Sequence, residues 1–300
     1  MAPTGTPRTE TPTGTLTDTG FTALRVTRDG PVATVTLDNP PVNTLDAALV
    51  KDLFQVARTA GNDPGLRVLV LESANPEFFS AHADFTWMSR PEELMALADP
   101  EGDPRLNPLQ QLHERIRALP QLTVAKLRGR LRAGGAELAM AADLRFAARG
   151  ATWLGQPETR MGIFPGGGGT QYLTRLVGRA RALEIVLGAE LFDTDLAERY
   201  GWINRAVAPE RLDAFVDAFA HRVAALPPGV AGAAKRAVDA AEAGGPVPDL
   251  AEEARAHAAV YPAPDAVVER VGRALDAGAQ TVAGELALEE LLDGLPYRGL

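Results

Sequence analysis

The chain has 300 residues, 46% of them hydrophobic and 23% charged, and it carries a formal net charge of -9. These values describe an ordinary globular protein, and the negative charge argues against nucleic acid or an anionic membrane surface as the partner. The sequence has no cysteine, which excludes disulfides and thiolate chemistry, and its 4 histidines lack metal-ligand spacing, so no metal site is predicted.

The first residues of the chain have an unusual composition. Residues 1–20 are rich in Thr, Pro and Gly and contain no apolar segment, so they are predicted to form a disordered tail rather than a secretory signal. No later stretch approaches the roughly 20 apolar residues of a membrane helix, because Arg, Asp or Pro interrupts each apolar run. We therefore expect a cytoplasmic protein that does not enter a membrane.

Strand and helix patterns then alternate through the first two thirds of the chain. A hairpin is predicted where residues 24–28 and 32–37 flank Asp29-Gly30, a dipeptide that favours tight turns. Further strands are predicted at residues 66–71, 123–127 and 144–147, and helices at residues 45–60, 104–119 and 135–141. Strands that recur between helices indicate an α/β core with parallel pairing, in which sites form where loops meet helix N-termini.

After Asn204 the strand signals stop. Ala-rich helical segments separated by Pro and Gly are predicted at residues 209–225, 230–243, 248–260, 264–277 and 283–292. The predicted organisation is a tail at residues 1–20, a catalytic core at residues 21–205 and a helical C-terminal region at residues 206–300. Apolar faces on these last helices would suit packing against another subunit.

The tetrapeptide Gly134-Gly135-Ala136-Glu137 is the first motif that suggests chemistry. A glycine turn that enters a helix presents unpaired backbone N–H groups at the positive end of the helix dipole, where they can hold an oxyanion. Glu137 lies about one turn further along the same face, so one helix could supply an oxyanion donor and an acid or base. Taken alone, the tetrapeptide more often marks close packing beside a solvated carboxylate.

A second motif follows at Gln156-Pro157-Glu158 and continues into the glycine-rich residues 165–170. Pro157 restricts the backbone before Glu158, and the glycines allow the backbone to approach a ligand closely. The alternative is a surface loop in which Thr170 caps the next helix. The two glutamates and the two glycine turns together favour an enzyme that moves a proton beside a carbonyl group.

Four separated segments, in this order along the chain, resemble the motifs of the crotonase, or enoyl-CoA hydratase and isomerase, superfamily. They are residues 38–45, 79–84, 134–143 and 155–171, and the resemblance extends over about residues 24–240. It implies an α/β fold with a spiral of β-β-α repeats and a helical C-terminal trimerisation region. It also implies a coenzyme A thioester as substrate, no permanently bound cofactor, and assembly as a homotrimer or a dimer of trimers.

The resemblance also implies roles for individual residues. The two oxyanion-hole donors fall on the backbone N–H groups of Ala83 and Gly134. The two catalytic glutamates fall on Glu137 and Glu158. Further substrate contacts fall on Ala81, His82, Asp84, Gly135 and Gly166, of which the last helps to form the acyl pocket. Hydratases of the superfamily use both carboxylates to add water across an α,β double bond, whereas isomerases commonly use the second alone, so retention of both favours a hydratase.

Several positions depart from the usual superfamily pattern. His82 stands where glycine is usual, so its ring either turns away from the pocket, narrows it, or acts as an extra acid or base. We expect the ring to turn away. Arg132-Ala133 replaces small or apolar residues, Thr86 stands where many members carry lysine, and the segment beyond Gly245 lacks the frequent closing pattern. These differences leave the acyl chain and the nucleotide contacts open.

Two further classes of function fit the same motifs. A double-bond isomerase, a thioester hydrolase or a decarboxylase could use the same scaffold, with an acyl carrier protein instead of coenzyme A. Alternatively, the chain could be a non-catalytic homologue that serves as an assembly subunit or binds RNA. The acidic pI of about 5.1 argues against RNA, and the two glutamates argue against a silent scaffold.

Overall fold

A computed structural model of the protein describes residues 15–17, 20–243, 265–280, 284 and 288–296. The chain divides into two compact units between His221 and Arg222. The predicted helix at residues 248–260 lies outside the described residues, as does most of the predicted tail. Within that tail Leu16 is fully buried and its N–H donates to Asp63 Oδ2 at 2.9 Å, so Leu16 itself is packed.

The first unit combines a mixed sheet with helices. Its strands are β1 (Leu24–Asp29), β2 (Val32–Leu37), β3 (Val68–Ser73), β4 (Phe78–Ser80), β5 (Leu122–Arg132), β6 (Leu144–Gly155), β7 (Leu191–Asp193) and β8 (Arg205–Val207). Its helices are α1 (Ala47–Gly61), α2 (Pro91–Met95), α3 (Pro108–Arg117), α4 (Gly134–Ala141), α5 (Gly169–Val177), α6 (Arg179–Gly188) and α7 (Thr194–Tyr200), and α8 (Leu212–Ala224) begins in this unit. Short 3-10 turns occur at Phe85–Met88, Glu158–Met161 and Pro209–Arg211.

The sheet has 8 strands in the order β1-β2-β3-β5-β6-β7, with β4 beside β5 and β8 beside β6. The central pairs β2–β3, β3–β5 and β5–β6 are parallel, and so are the pairs made by β4 and β8. The β1–β2 hairpin and the β6–β7 pair are antiparallel. The predicted α/β core with parallel pairing is therefore confirmed.

A bend in β5 sets the direction in which the chain approaches the site. The register with β6 shifts between Leu127 and Gly129, where Gly129 has a φ of +70°. A Cβ on Gly129 would lie 2.2 Å from the backbone of Glu77, so only glycine allows the strand to bend against that loop. Before the bend β5 pairs with β3, and after it with β4, so its end at Arg132 leads directly into α4 at Gly134.

Helix α4 lies in the centre of this unit. All of its residues are buried, and it contacts α3, α5, β4, β5 and β6. Its sequence of Gly, Ala, Leu and Met leaves Glu137 as its only charged side chain. A carboxylate on so apolar a helix must find its hydrogen-bond partners from other elements.

The sequence prediction was correct for the hairpin and for the first helices, but two strand predictions ended too early. Strands β5 and β6 continue to Arg132 and Gly155. Charged residues at partly exposed positions interrupt the apolar pattern in the second half of β5, and the exposed Arg149 and Gly150 interrupt it in the middle of β6. The expectation that strands stop after Asn204 is wrong, since β8 pairs with β6 through Arg205 to Val207. A strand of three residues is too short to produce a periodic signal.

The described part of the second unit is helical, as predicted for the C-terminal region. It contains the end of α8 together with α9 (Val230–Ala243), α10 (Asp265–Asp276) and α11 (Leu288–Asp293). Helix α10 has exposed apolar residues at a helical spacing, namely Val268 (59% exposed), Val271 (53%) and Leu275 (46%). This stripe gives α10 an apolar face that is open in the single chain.

Candidate active site

Glu137 lies in the first turn of α4 and is only 2% exposed. Its Oε1 accepts hydrogen bonds from the backbone N–H groups of Gly167 and Gly169, each at 2.8 Å. Both donors belong to residues 166–169, which we call the glycine loop and which lead into α5. A Cβ on Gly167 would lie 2.4 Å from Glu137 Oε2, so only glycine lets the loop approach the carboxylate this closely.

Glu158 opens the 3-10 turn that follows β6 and is 5% exposed. When the side-chain amide of Gln156, at the junction with β6, is oriented to satisfy its hydrogen bonds, its nitrogen donates to both carboxylate oxygens of Glu158, at 3.0 and 3.1 Å. This donor comes from a side chain and acts together with the backbone N–H of Glu158 itself, whereas both donors at Glu137 belong to the glycine loop. The two glutamates are thus held by different means.

The surroundings of both glutamates bring their proton affinities close to neutral pH. Burial raises the pKa of Glu137 from 4.5 to about 7, and the N–H groups of Gly169 and Gly167 oppose this rise. Burial likewise raises the pKa of Glu158 to about 7; its own backbone N–H opposes the rise and the charge of Glu137 adds to it. The influence of the Glu137 charge on Glu158 requires the two carboxylates to lie near each other. Groups with such pKa values exchange protons readily at neutral pH.

The Ala83 nitrogen lies close to Gly134, at the start of α4. The Leu45 N–H donates to the His82 carbonyl at 2.9 Å, and the Asp84 N–H donates to the Leu45 carbonyl at 3.1 Å. Ala83 lies between these two bonds, so its own N–H points to the opposite side of the strand-like segment. Gly134 lies on that side, since a Cβ on it would be 3.1 Å from the Ala83 nitrogen. As the first residue of α4, Gly134 has no acceptor for its N–H within the helix.

The residue before this N–H pair has a strained backbone. Ala133 has φ 48° and ψ -127°, a left-handed conformation that favours glycine. It is held there because its N–H donates to the Gly155 carbonyl at 3.0 Å and its carbonyl accepts from the Glu137 N–H at 2.9 Å. Such strain is retained where the surrounding structure needs one specific chain direction, and here it turns β5 into α4.

Three of the predicted substrate contacts form the frame of the site. Ala81 is buried, and its N–H donates to Val42 at 3.0 Å. Gly135 packs on β4, since a Cβ on it would lie 2.2 Å from the Ser80 carbonyl oxygen. The Asp84 carboxylate caps the next 3-10 turn by accepting from the Thr86 N–H at 2.8 Å. By contrast, a Cβ on Gly166 would have no atom within 4 Å, so Gly166 borders open space.

The ring of His82 is held by its own loop. Its Nδ1 donates to the Ala83 carbonyl at 2.8 Å, and the ring stacks on Phe85 with 3.8 Å between centroids and 9° between planes. Phe85 is itself 47% exposed. Both contacts are within three residues of His82, so the ring is held by its own loop. That the ring turns away from the pocket stays a prediction.

The sequence analysis missed two side chains that contact the glycine loop. Asn107 Nδ2 donates to the Gly166 carbonyl at 2.8 Å, and His113 Nδ1 donates to the Gly167 carbonyl at 2.7 Å. The pair Asn107-Pro108 is a recognisable helix start, so its capping role could have been found from the sequence. No local signal, however, reports a partner 59 residues further along the chain.

Among the described residues, no three His, Asp or Glu side chains are grouped in a way that could bind a metal ion. No helix in the same part of the chain combines the length and the hydropathy that crossing a membrane requires.

A profile of the family described as "Enoyl-CoA hydratase/isomerase" matches residues 27–261, which is most of the chain. The chain belongs to the enoyl-CoA hydratase/isomerase family. The resemblance of its four motifs to this superfamily is thereby confirmed, because the match includes all four segments.

Curated members of this family show how far the similarity extends. A protein of Bacillus subtilis (strain 168) named "Probable enoyl-CoA hydratase" is 39% identical over 171 residues, which cover 56% of this chain and 62% of that protein. The match therefore spans less than two thirds of the Bacillus protein. A "Short-chain-enoyl-CoA hydratase" of Clostridium acetobutylicum is 30% identical over 213 residues, which cover 71% of this chain and 79% of that protein.

Solved structures of the family share the fold. A candidate enoyl-CoA hydratase from Streptomyces avermitilis is 44% identical, with a TM-score of 0.70 over 92% of this chain and 99% of that chain. An enoyl-CoA hydratase from Bacillus anthracis is 26% identical, with a TM-score of 0.74 over 93% of this chain and 100% of that chain. The fold implied by the sequence motifs is therefore confirmed.

Proposed function

We propose that this family member is an enoyl-CoA hydratase, which adds water across the α,β double bond of an acyl-CoA thioester. The observation that carries the proposal lies in the first turn of α4. There Gly134, whose N–H has no acceptor within the helix and which lies close to the Ala83 nitrogen, is followed by the buried Glu137, whose pKa is raised to about 7. Names of the Bacillus and Clostridium relatives support the same activity.

The N–H pair of Ala83 and Gly134 would stabilise the charge that develops on the thioester oxygen. As water attacks the β-carbon, the π electrons move onto this oxygen and form an enolate. Two converging donors at the N-terminus of α4 favour that charge over the neutral ground state. Removing one such donor typically costs about 2.7 to 4 kcal/mol of transition-state stabilisation.

The two glutamates would move the protons. The two N–H donors on Oε1 of Glu137 stabilise its ionised form, so Glu137 is the base that takes a proton from the attacking water. Glu158, whose pKa is raised in part by the charge of Glu137, gives its proton to the α-carbon as the enolate electrons return. A proton then passes from Glu137 to Glu158 through solvent and resets the site. Acid-base catalysis of this kind contributes about 10² to 10⁴ in rate.

The test is to incubate the protein with a panel of enoyl thioesters and follow the loss of the conjugated absorbance. Glu137→Gln and Glu158→Gln should each remove most of the hydration, with a loss of about 100-fold or more, while substrate binding stays nearly intact. A neutral amide preserves the shape of the side chain but cannot shuttle a proton. If Glu137→Gln kept full turnover, the hydratase proposal would fail and an isomerase that uses Glu158 alone would replace it.

Assembly as a homotrimer or a dimer of trimers is part of the same proposal. It is supported by the apolar stripe Val268, Val271 and Leu275 on α10 and by the exposed Val238 on α9. Interfaces between permanent subunits are large and apolar, and such side chains suit them. Light scattering at micromolar concentration should return three or six times the chain mass, and a mass near 31.7 kDa would contradict the assembly.

The carrier of the acyl group and the cellular location complete the proposal. We expect coenzyme A rather than an acyl carrier protein to carry the substrate, and a cytoplasmic location. Comparing the same enoyl group on the two carriers tests the first expectation, since a lower KM on the protein carrier would contradict it. Fractionation of cells that express the chain tests the second.

A further inference from the structure

Helix α3 and its N-cap contact the glycine loop at two consecutive carbonyl groups. Asn107, the N-cap, donates from Nδ2 to the Gly166 carbonyl at 2.8 Å. His113, two turns along α3, donates from Nδ1 to the Gly167 carbonyl at 2.7 Å. Neither side chain takes part in the hydration steps described above, yet both contact the loop that holds Glu137.

The first contact acts on a single peptide group. The Gly166 carbonyl and the Gly167 N–H belong to one planar trans peptide, so they point in opposite directions. One end of this peptide accepts from Asn107, and the other donates to Glu137 Oε1 at 2.8 Å. Asn107 therefore fixes the plane of the peptide, and its bond also polarises the N–H that reaches the carboxylate.

The second contact anchors the next peptide group from inside the core. His113 is fully buried, and burial lowers its pKa to about 4, so it is neutral. Because a carbonyl oxygen can only accept, the ring hydrogen resides on Nδ1. His113 Cε1 and Glu137 Oε2 both lie within 3.2 Å of the point that a Cβ on Gly167 would occupy. The ring, the loop and the carboxylate therefore pack as one unit.

Two features argue for a role beyond packing. The Nε2 atom of His113 is buried and has no hydrogen-bond partner among the described residues, which an apolar side chain at this place would avoid. The loop itself consists of four consecutive glycines, the residues with the most backbone freedom, so it cannot direct its own N–H groups. We propose that Asn107 and His113 are positioning residues that hold the glycine loop so that its N–H groups stabilise the Glu137 carboxylate. This inference rests on the proposed role of Glu137 as the base.

Other charged or titratable groups also surround Glu137. The neighbouring elements contribute Glu158 from the 3-10 turn, His113 and Glu114 from α3, and Tyr172 from α5, with Arg117 over the Tyr172 ring. Tyr172 donates to Glu114 at 2.6 Å, and burial raises its pKa, so it remains neutral. Substitution of Asn107 or His113 leaves all the carboxylates in place, so a change in the titration of Glu137 reports on the N–H donors.

The experiment uses variants that separate positioning from folding. Asn107→Ser retains an oxygen that caps α3 but removes the donor to Gly166. His113→Asn retains an N–H close to the position of Nδ1, whereas His113→Leu removes it. Asp193→Ser, at the N-cap of α7, is the matched control for replacing a helix cap away from the loop.

Asn107→Ser and His113→Leu should each lower kcat about tenfold with a smaller change in KM, because a bond to a charged group is weakened. The acid-side inflection of the kcat/KM pH profile should rise by about half a pH unit, since a carboxylate that loses a donor has a higher pKa. His113→Asn and Asp193→Ser should remain near the wild-type profile. In the enzyme without substrate, the infrared carboxyl band of Glu137, assigned with Glu137→Gln, should titrate at correspondingly higher pH.

Two outcomes would separate the proposals. If Asn107→Ser and His113→Leu lowered the melting temperature but left the pH profile and the Glu137 band unchanged, the residues would be structural and the positioning role would be overturned. If the wild type hydrated no enoyl thioester, the proposed function would fail, whereas the infrared titration would still decide whether these side chains position the Glu137 donors.

Discussion

The two glycine turns of this protein look alike in sequence but serve different physical needs. In the first turn, a Cβ on Gly135 would lie 2.2 Å from the backbone oxygen of Ser80. In the glycine loop, a Cβ on Gly167 would lie 2.4 Å from Oε2 of Glu137, the end of a side chain. The first glycine allows backbone to pack on backbone, whereas the second allows backbone to approach a reactive group.

This difference determines which property should fail when each glycine is replaced. Ser80 ends β4, which is paired with β5, so its carbonyl cannot move unless the sheet moves. The Glu137 carboxylate can rotate away from an added methyl group, but rotation gives up the two bonds from the glycine loop. We therefore expect the first turn to control stability and the second to control activity.

The largest effect is expected for Gly135→Ala. The added methyl group overlaps the Ser80 carbonyl, which is fixed by the sheet, so the free energy of unfolding should fall by about 3 kcal/mol or more. Urea denaturation followed by circular dichroism measures this loss. A variant that unfolded at the wild-type midpoint would show that β4 can shift, and the contrast between the two turns would disappear.

Gly167→Ala should mainly affect activity. The carboxylate must turn aside, so kcat should fall about 100-fold while the free energy of unfolding changes by about 1 kcal/mol or less. Steady-state kinetics and urea denaturation of the same preparation give both numbers. Gly166→Ala is the stability control, because its Cβ would meet no atom within 4 Å, and it should unfold like the wild type. If Gly135→Ala and Gly167→Ala lost the same free energy of unfolding, the distinction between the first turn and the glycine loop would be contradicted.

The free energy of unfolding should depend on pH because Glu137 is buried. Its pKa is raised from 4.5 to about 7, so its contribution to stability is complete below pH 4.5 and is lost as the pH rises through 7. Glu137→Gln stays neutral and should therefore gain on the order of 1 kcal/mol over the wild type at pH 8, and little at pH 4. Thermal melts at the two pH values test this. A difference that is the same at both pH values would mean that folding does not raise the pKa of Glu137.

The smallest effect is expected at His82, beside the first turn. Its ring is held by Ala83 and Phe85, so His82→Gly should leave acyl-chain selectivity unchanged and lower stability by about 1 kcal/mol or less. Comparison of kcat/KM for short and long enoyl thioesters measures the selectivity. A large change in preference at unchanged stability would place the ring in the substrate path.

Much of the site could be predicted from local patterns. The spacing from Gly134 to Glu137 is one helical turn, so a helix at residues 135–141 already implies that the donor and the carboxylate lie on the same element. The second glutamate was found because Gln156-Pro157-Glu158 precedes a glycine-rich segment. These inferences succeed because a helix fixes the relative positions of residues three or four apart.

Local patterns in the sequence are therefore enough to predict the chemical groups of the site, namely the two glutamates and the two glycine turns, together with the helix that carries Glu137. The tertiary structure alone decided that Ala83 lies beside Gly134, that Glu137 receives its donors from 30 and 32 residues away, and that α3 contacts the glycine loop. The reason is physical. The direction of a peptide N–H and the burial that raises a pKa depend on which segments pack together, and a local pattern extends only over the next helical turn or strand residue.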